Sequence, residues 1–268
     1  MSVAILGAGV IGSAVAKSLL QSGYKGRILA TRRQVEKIRE LEKLGVIVTN
    51  DNRRAADEAE VIVLCVKPRD VEEVLKDIRN EIKGKLVISM AAAVTLEFLK
   101  EIAPEAKIVR AMPNVAILVQ ESFTAYCASS DVTLEDKDEA EMFLKVLGRV
   151  VEIDENCMDA ITALSGCAPA YLSVIMEAMT YAGLEAGLPR DLALAASAQS
   201  MVGTGKLILE TQKTPSEIKD MVTTPGGITI AGLRELEKVP IRHAIMKAVE
   251  AATVKSRKIT ERLRLQEK

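Results

Sequence analysis

Six residues near the start of the chain, Gly7-Ala8-Gly9-Val10-Ile11-Gly12, restrict the fold more than any other segment. They follow a short apolar run, Val3 to Leu6, and open a helical pattern in which Val10, Ala14, Val15, Leu19 and Leu20 share a face. A glycine-rich turn in isolation says little. Between a strand and a helix, G-x-G-x-x-G is the spacing at which a dinucleotide pyrophosphate is held. Gly7 permits the tight turn, Gly9 lets the backbone approach the phosphates, and Gly12 lets the helix pack on the strand. The helix N-terminus adds free N–H groups and the positive end of its dipole.

The rest of the first half repeats the alternation. Arg27–Thr31, Val46–Thr49, Val61–Val66, Leu86–Met90, Lys107–Ala111 and Phe123–Cys127 read as strands. Helical patterns separate the earlier ones: Val35–Leu44, Arg53–Ala59, Asp70–Ile82 and Leu96–Ile102. Strands apolar on both faces and separated by helices predict a parallel sheet covered on both sides, a Rossmann-like doubly wound α/β domain. The character changes near residue 154. Between Cys157 and Leu209 the chain is dense in Ala, Leu, Met and Gly, interrupted at Ala168-Pro169 and Gly187-Leu188-Pro189. The expected division is a nucleotide-binding domain over residues 1–153 and an all-helical domain over 154–268. Helices apolar nearly all round must be covered. Either they form a tight bundle or, the preferred reading, they pack against a second subunit. Small residues such as Ala195, Ala196, Ala198, Gly203 and Gly205 permit that close contact.

The end of the second strand selects the dinucleotide. A chain built for NAD usually places an acid there, about 20 residues on, for the ribose hydroxyls. This chain has Thr31-Arg32-Arg33. Guanidinium groups pair with a 2′-phosphate that a carboxylate would repel. NADP(H) is therefore the expected cofactor, with NAD(H) accepted at lower affinity.

Composition narrows the remaining classes. Net charge is −1 with acids and bases interspersed, which argues against a nucleic-acid or membrane-surface partner. No apolar run reaches the roughly 18 residues of a membrane span, and Met1-Ser2-Val3 runs into a strand with no signal-peptide pattern. Cys65, Cys127, Cys157 and Cys167 form no C-x-x-C pair and there is one histidine, so no metal is expected. A cytoplasmic enzyme with reduced thiols is the expectation. His243 is read as structural or exposed. Cys167 is read as a small buried thiol, and Met176, Met179 and Met201 as helical core.

A second anion site is suggested by Thr214 to Leu233, TPSEIKDMVTTPGGITIAGL. Thr214 and Glu217 make a capping box with Pro215 at the first helical position. Pro225-Gly226-Gly227 then feeds a new helix near Ile228-Thr229. Such an N-terminus suits a carboxylate, and Thr229 adds a hydroxyl that donates and accepts.

TTPGGITIAGL, together with LSGCAPAY (Leu164–Tyr171), VIVLCVKP (Val61–Pro68), ISMAAAV (Ile88–Val94) and RAMPN (Arg110–Asn114), resembles the signature segments of pyrroline-5-carboxylate reductases. The resemblance runs, in family order, from the first strand to about residue 257. It implies reduction of the C=N bond of pyrroline-5-carboxylate to L-proline by an enzyme with a helical dimerisation domain, a homodimer or a multiple of dimers. Carried over by motif, Gly7 to Ile11 hold the pyrophosphate, Arg32 lies at the 2′-phosphate and Asn52 reaches the adenosine ribose. Val66, Lys67, Ala91 and Ala92 line the nicotinamide side. Thr229 hydrogen-bonds the ring nitrogen as the catalytic contact, and the backbone of Gly227 and Ile228 takes the carboxylate. Glu155 matches a substrate-proximal position, while from the residues alone it could equally be a solvated helix-cap residue. The chain departs from the family where Cys167-Ala168 replaces Ser-Gly and where Met221 replaces an Asn. The alternatives are another NADP oxidoreductase with the same front half, such as a 3-hydroxyacid dehydrogenase or a deazaflavin-dependent reductase, and a non-catalytic NADP-binding oligomer.

Overall fold

The computed structural model describes residues 1–265. Its backbone contacts divide it into two units, Met1–Cys167 with the stretch from Ala251 onward, and Ala168–Glu250.

In the first unit β1 (Ser2–Leu6), α1 (Val10–Gln21), β2 (Arg27–Thr31), β3 (Ile47–Thr49), α2 (Asn52–Glu58), β4 (Val61–Leu64), α3 (Val71–Asp77), β5 (Leu86–Ser89), α4 (Leu96–Ile102) and β6 (Lys107–Met112) follow in turn. They are succeeded by β7 (Ser122–Ala128), α5 (Leu134–Lys145), β8 (Gly148–Glu152) and the one-turn α6 (Met158–Ile161). The strands form one eight-stranded sheet in the order β3-β2-β1-β4-β5-β6-β7-β8. All neighbours are parallel except β6 and β7. The doubly wound expectation is met, and the reason is visible strand by strand. Side chains alternate between faces, and both faces are apolar: Val3, Ile5, Val61, Val63 and Ile88 belong to one buried cluster. Ala4, Leu6, Ile62, Leu64 and Val87 belong to the other.

Two features differ from the pattern expected of the sequence. Val35–Leu44 is a 3₁₀ helix instead of an α-helix. Its apolar residues Val35, Ile38, Leu41 and Leu44 recur every third position, which matches three residues per turn better than 3.6. Ile38 and Leu41 are the pair it buries. Residues 128–153, on which the sequence reading was silent, supply α5 and β8. The helix is mostly charged outside and anchors through Ala140, Phe143 and Leu144, with Thr133 and Asp136 closing a capping box.

The second unit is helical: α7 (Ala168–Glu185), α8 (Arg190–Thr211), α9 (Pro215–Met221), α10 (Ile228–Leu236) and the first part of α11 (Ile241–Leu265). The Thr214–Glu217 capping box and Pro215 at the helix start are present as expected. α7 and α8 form a hairpin in which an added Cβ on Gly183 would sit 2.8 Å from Ala193 Cβ. The apolar faces of these helices are nevertheless open in the single chain. Among them Val174, Met179, Leu192, Leu194, Val202 and Leu209 are exposed. Met176 and Met201 are half-buried and Met179 is exposed, so the methionines expected as helical core do not make one within this chain. Although no uninterrupted apolar run reaches that length, Glu155–Glu185 and Arg190–Thr211 are long and apolar enough on average to cross a membrane by length and composition.

Candidate active site

The order β3-β2-β1-β4 reverses direction between β1 and β4, and the crevice at the carboxyl ends of those strands is where open α/β sheets hold their ligands. The glycine loop lies there. Gly7 has φ +86, and a Cβ on it would lie 2.6 Å from Val66 Cγ1 and 2.9 Å from Val66 N. A Cβ on Gly12 would meet Gly7 O at 2.9 Å, so the first turn of α1 rests directly on the loop. Ala8 N–H donates to Thr31 O at 2.7 Å, tying the loop to β2. A Cβ on Gly9, by contrast, would meet only Gly7 O, at 4.0 Å, and no side chain caps α1 behind it. Backbone donors are thus left bare at a helix N-terminus, with Val10 largely exposed beside them. The residues present fit a pyrophosphate.

The second-strand residues divide their tasks. Thr31 is buried, and its hydroxyl accepts from Gly7 N–H at 3.3 Å while donating to Asn52 Oδ1 at 2.6 Å. It therefore braces the loop and orients Asn52, whose amide N–H groups have no partner among the described residues. Arg32 is half-buried and its Nη1 donates to Ala8 O at 3.2 Å, laying a guanidinium over the phosphate loop. Arg33 is exposed and is held by Asp70. Removing the guanidinium in Arg32→Ala is expected to weaken NADPH binding by about 1.5 kcal/mol, roughly tenfold, while NADH binding changes little. Titration of both cofactors checks this, and an equal loss for the two would remove Arg32 from the 2′-phosphate.

Beyond the loop, Val66 is half-buried and Lys67 exposed at the end of β4. Ala91 is buried and Ala92 half-buried after β5, where Ala93 adopts φ +63. A left-handed alanine is a strained position that its surroundings must hold. Glu155 holds the chain three residues further on. Its Oε1 accepts from Leu96 N–H at 2.8 Å, at the start of α4, and from Arg110 Nη1 at 2.7 Å. Arg110 is 4% exposed as a residue, on a strand whose other residues are mostly apolar. Glu155 is thus a partner to a buried cation, a role the sequence reading did not assign. The clue was Arg110 itself, a charge in the middle of a mostly apolar strand, which demands an acid. Asn114, also unassigned, donates through Nδ2 to Ser165 O at 3.2 Å and Ser165 Oγ at 3.3 Å. Ser165 lies in a π-helical turn, Thr162–Gly166, and Cys167 N–H closes that turn onto Thr162 O at 3.1 Å. Cys167-Ala168 therefore falls where the π turn passes into α7.

In the second unit α10 begins at Ile228 after Gly227 at the N-cap, with no side chain capping it and no acid in its first turn. Gly226 has φ +68, and a Cβ on Gly227 would lie 2.4 Å from Thr224 Oγ1, so the turn closes only with glycine. Ile228 and Thr229 are exposed at this open N-terminus. The geometry suits a carboxylate taken by backbone N–H groups with a hydroxyl one residue on. Other nucleophiles and acids are ill placed for chemistry. Burial pushes the Cys65 and Cys127 thiols up to about 12, with the Glu155 charge adding to the effect at Cys127. His243 is exposed, and Cys167 is half-exposed, more open than the buried thiol expected. Among the described residues no cluster of three or more His, Cys, Asp or Glu could hold a metal.

Comparison with known proteins bears on both units. Residues 155–259 match the family model described as pyrroline-5-carboxylate reductase dimerisation, and residues 2–93 match that described as NADP oxidoreductase, coenzyme F420-dependent. A pyrroline-5-carboxylate reductase from Synechocystis is 42% identical over 214 residues, 80% of each chain. A solved pyrroline-5-carboxylate reductase from Coxiella burnetii superposes with a TM-score of 0.89 at 32% identity, covering 96% of this chain and 97% of that one. One from Plasmodium falciparum, with NADP bound, gives 0.87 at 30% identity, covering 97% and 98%.

Proposed function

Because the chain belongs to the pyrroline-5-carboxylate reductase family, we propose that it reduces the C=N bond of 1-pyrroline-5-carboxylate to give L-proline. NADP(H) is its cofactor. The observation that carries the reading is the presence of two uncapped helix N-termini. One lies behind the glycine loop beside Arg32, and the other lies behind Pro225-Gly226-Gly227 beside Thr229. The match of the front half to deazaflavin-dependent oxidoreductases reflects a shared nucleotide fold. The second-unit match, over residues 155–259, separates this chain from them.

The bare N–H groups at the start of α1 take the pyrophosphate, Arg32 takes the 2′-phosphate and the Asn52 amide donates to the adenosine ribose. Val66, Lys67, Ala91 and Ala92 border the nicotinamide. The chemistry supplied when NADPH is bound there is hydride donation to the imine carbon. The chain's own residues have two tasks. The backbone of Gly227 and Ile228 holds the substrate carboxylate, and the Thr229 hydroxyl meets the ring nitrogen. A protonated imine already carries the proton that the product amine keeps, so one hydride completes the reaction. The reaction is tested by following NADPH oxidation with 1-pyrroline-5-carboxylate. Cofactor binding without turnover would leave the non-catalytic reading standing.

The family's dimerisation region and the open apolar faces of α7 and α8 support an oligomer built from homodimers. Light scattering in detergent-free buffer at low micromolar protein is expected to give an even multiple of the 29.0 kDa chain mass. A stable folded monomer, or a chain that needs detergent, would overturn the assembly.

A further inference from the structure

Arg32 and Arg33 are neighbours in sequence but not in circumstance. Arg32 rests on the glycine loop through Ala8 O. Arg33 Nη2 lies 3.0 Å from Asp70 Oδ1 and 3.8 Å from Glu73 Oε2. Asp70 belongs to the short 3₁₀ turn Pro68–Asp70 that follows β4, and Glu73 to the first turn of α3. The elements that flank the crevice on its two sides therefore meet through this bridge. Two carboxylates stand against one of the two guanidinium groups, so the corner is less positive than Arg32-Arg33 alone suggests.

That balance bears on cofactor choice. A 2′-phosphate recruits Arg33 only by displacing carboxylates that already hold it, and it then lies near those freed negative charges. The ribose hydroxyl of NADH is neutral and meets neither cost. We infer that Asp70 and Glu73 set the preference between NADPH and NADH, by competing with the 2′-phosphate for Arg33. The inference rests on the cofactor reading above and adds two residues to it. Arg32, which pairs with no acid among the described residues, supplies the phosphate contact that no competitor weakens. The size of the effect is bounded, because exposed ion pairs are weak. Competition of this kind tunes a preference without abolishing it.

The test isolates the 2′-phosphate by comparing adenosine 2′,5′-bisphosphate with adenosine 5′-monophosphate, using calorimetry at fixed ionic strength. In the variant Asp70→Asn/Glu73→Gln the bisphosphate is expected to bind roughly three- to tenfold more tightly, with the monophosphate unchanged within about twofold. In an Arg33→Ala background the same two substitutions are expected to give a clearly smaller gain, since only the acids' direct repulsion of the phosphate is then relieved. An unchanged bisphosphate affinity, an equal gain for both ligands, or a gain undiminished without Arg33 would each overturn the competition. A parent chain that binds both ligands equally overturns the cofactor reading itself. A parent that prefers the bisphosphate but ignores loss of the acids overturns only this inference.

Discussion

Thr229→Val is expected to lower kcat/KM for pyrroline-5-carboxylate by roughly ten- to a few hundredfold, equivalent to about 1.5–3 kcal/mol. Valine keeps the branched shape and removes the hydroxyl. Thr229 is exposed in the first turn of α10, and its side chain holds no hydrogen bond among the described residues, so folding is expected to survive. NADPH binding is expected to survive as well, because the glycine loop and Arg32 belong to the other unit. The loss falls mainly on the rate for a chemical reason. As hydride reaches the carbon, electrons move onto the ring nitrogen, and a hydroxyl donating to that nitrogen is held more tightly than in the ground state. The loss is not complete, because orientation against the nicotinamide supplies much of the acceleration. A Thr229→Val enzyme as fast as the parent would place the substrate elsewhere.

Glu155→Ala is expected to destabilise the first unit by about 3 kcal/mol. Removing one partner of a buried pair leaves the other charge uncompensated, which typically costs roughly 3–5 kcal/mol. The lower end applies because the Glu155 side chain is 31% exposed and water reaches it, whereas the Arg110 side chain is 5% exposed and stays behind unpaired. The start of α4 also loses the acceptor for Leu96 N–H. Denaturant unfolding measures the first effect. The kinetic readout separates two roles for the residue. As a brace for the Ala91–Ala93 loop, its loss raises KM for NADPH, and Glu155→Gln restores much of it by keeping the acceptor oxygen. As a substrate contact, its loss raises KM for pyrroline-5-carboxylate with stability intact. A variant as stable as the parent would show that the Arg110–Glu155 pair contributes nothing to the fold.

The turn between β1 and α1 was legible in the sequence because its determinants are local: Gly7 to Gly12 are contiguous, and the positive φ of Gly7 with the close contacts at Gly7 and Gly12 dictates their type. The strand and helix order was legible for a similar reason, since Val, Ile and Leu runs on both faces admit few arrangements. What depended on distant partners was not. That Arg33 is also held by an acid could not be read, because Asp70 is 37 positions away in sequence. Glu155 reads equally as a cap or a substrate contact until Arg110 is placed against it, 45 positions away. The 3₁₀ helix could have been found by counting, because Val35, Ile38, Leu41 and Leu44 are spaced by three without exception. β8 offered little, as its run, Gly148–Glu152, is short and carries an arginine and a glutamate.

The first unit is not continuous along the chain. Asp159 Oδ1 accepts from Ser256 Oγ at 2.5 Å and from Thr260 Oγ1 at 3.3 Å, and Leu263 packs against the second apolar cluster of the sheet. The residues that complete this unit are therefore synthesised only after the whole of Ala168–Glu250. During translation the sheet waits, with part of its surface uncovered, until the last helix leaves the ribosome. Contacts of such long sequence separation form late and slowly. A nascent chain stalled within α11 would expose that surface to chaperones and proteases, even though every residue of its glycine loop had already been made.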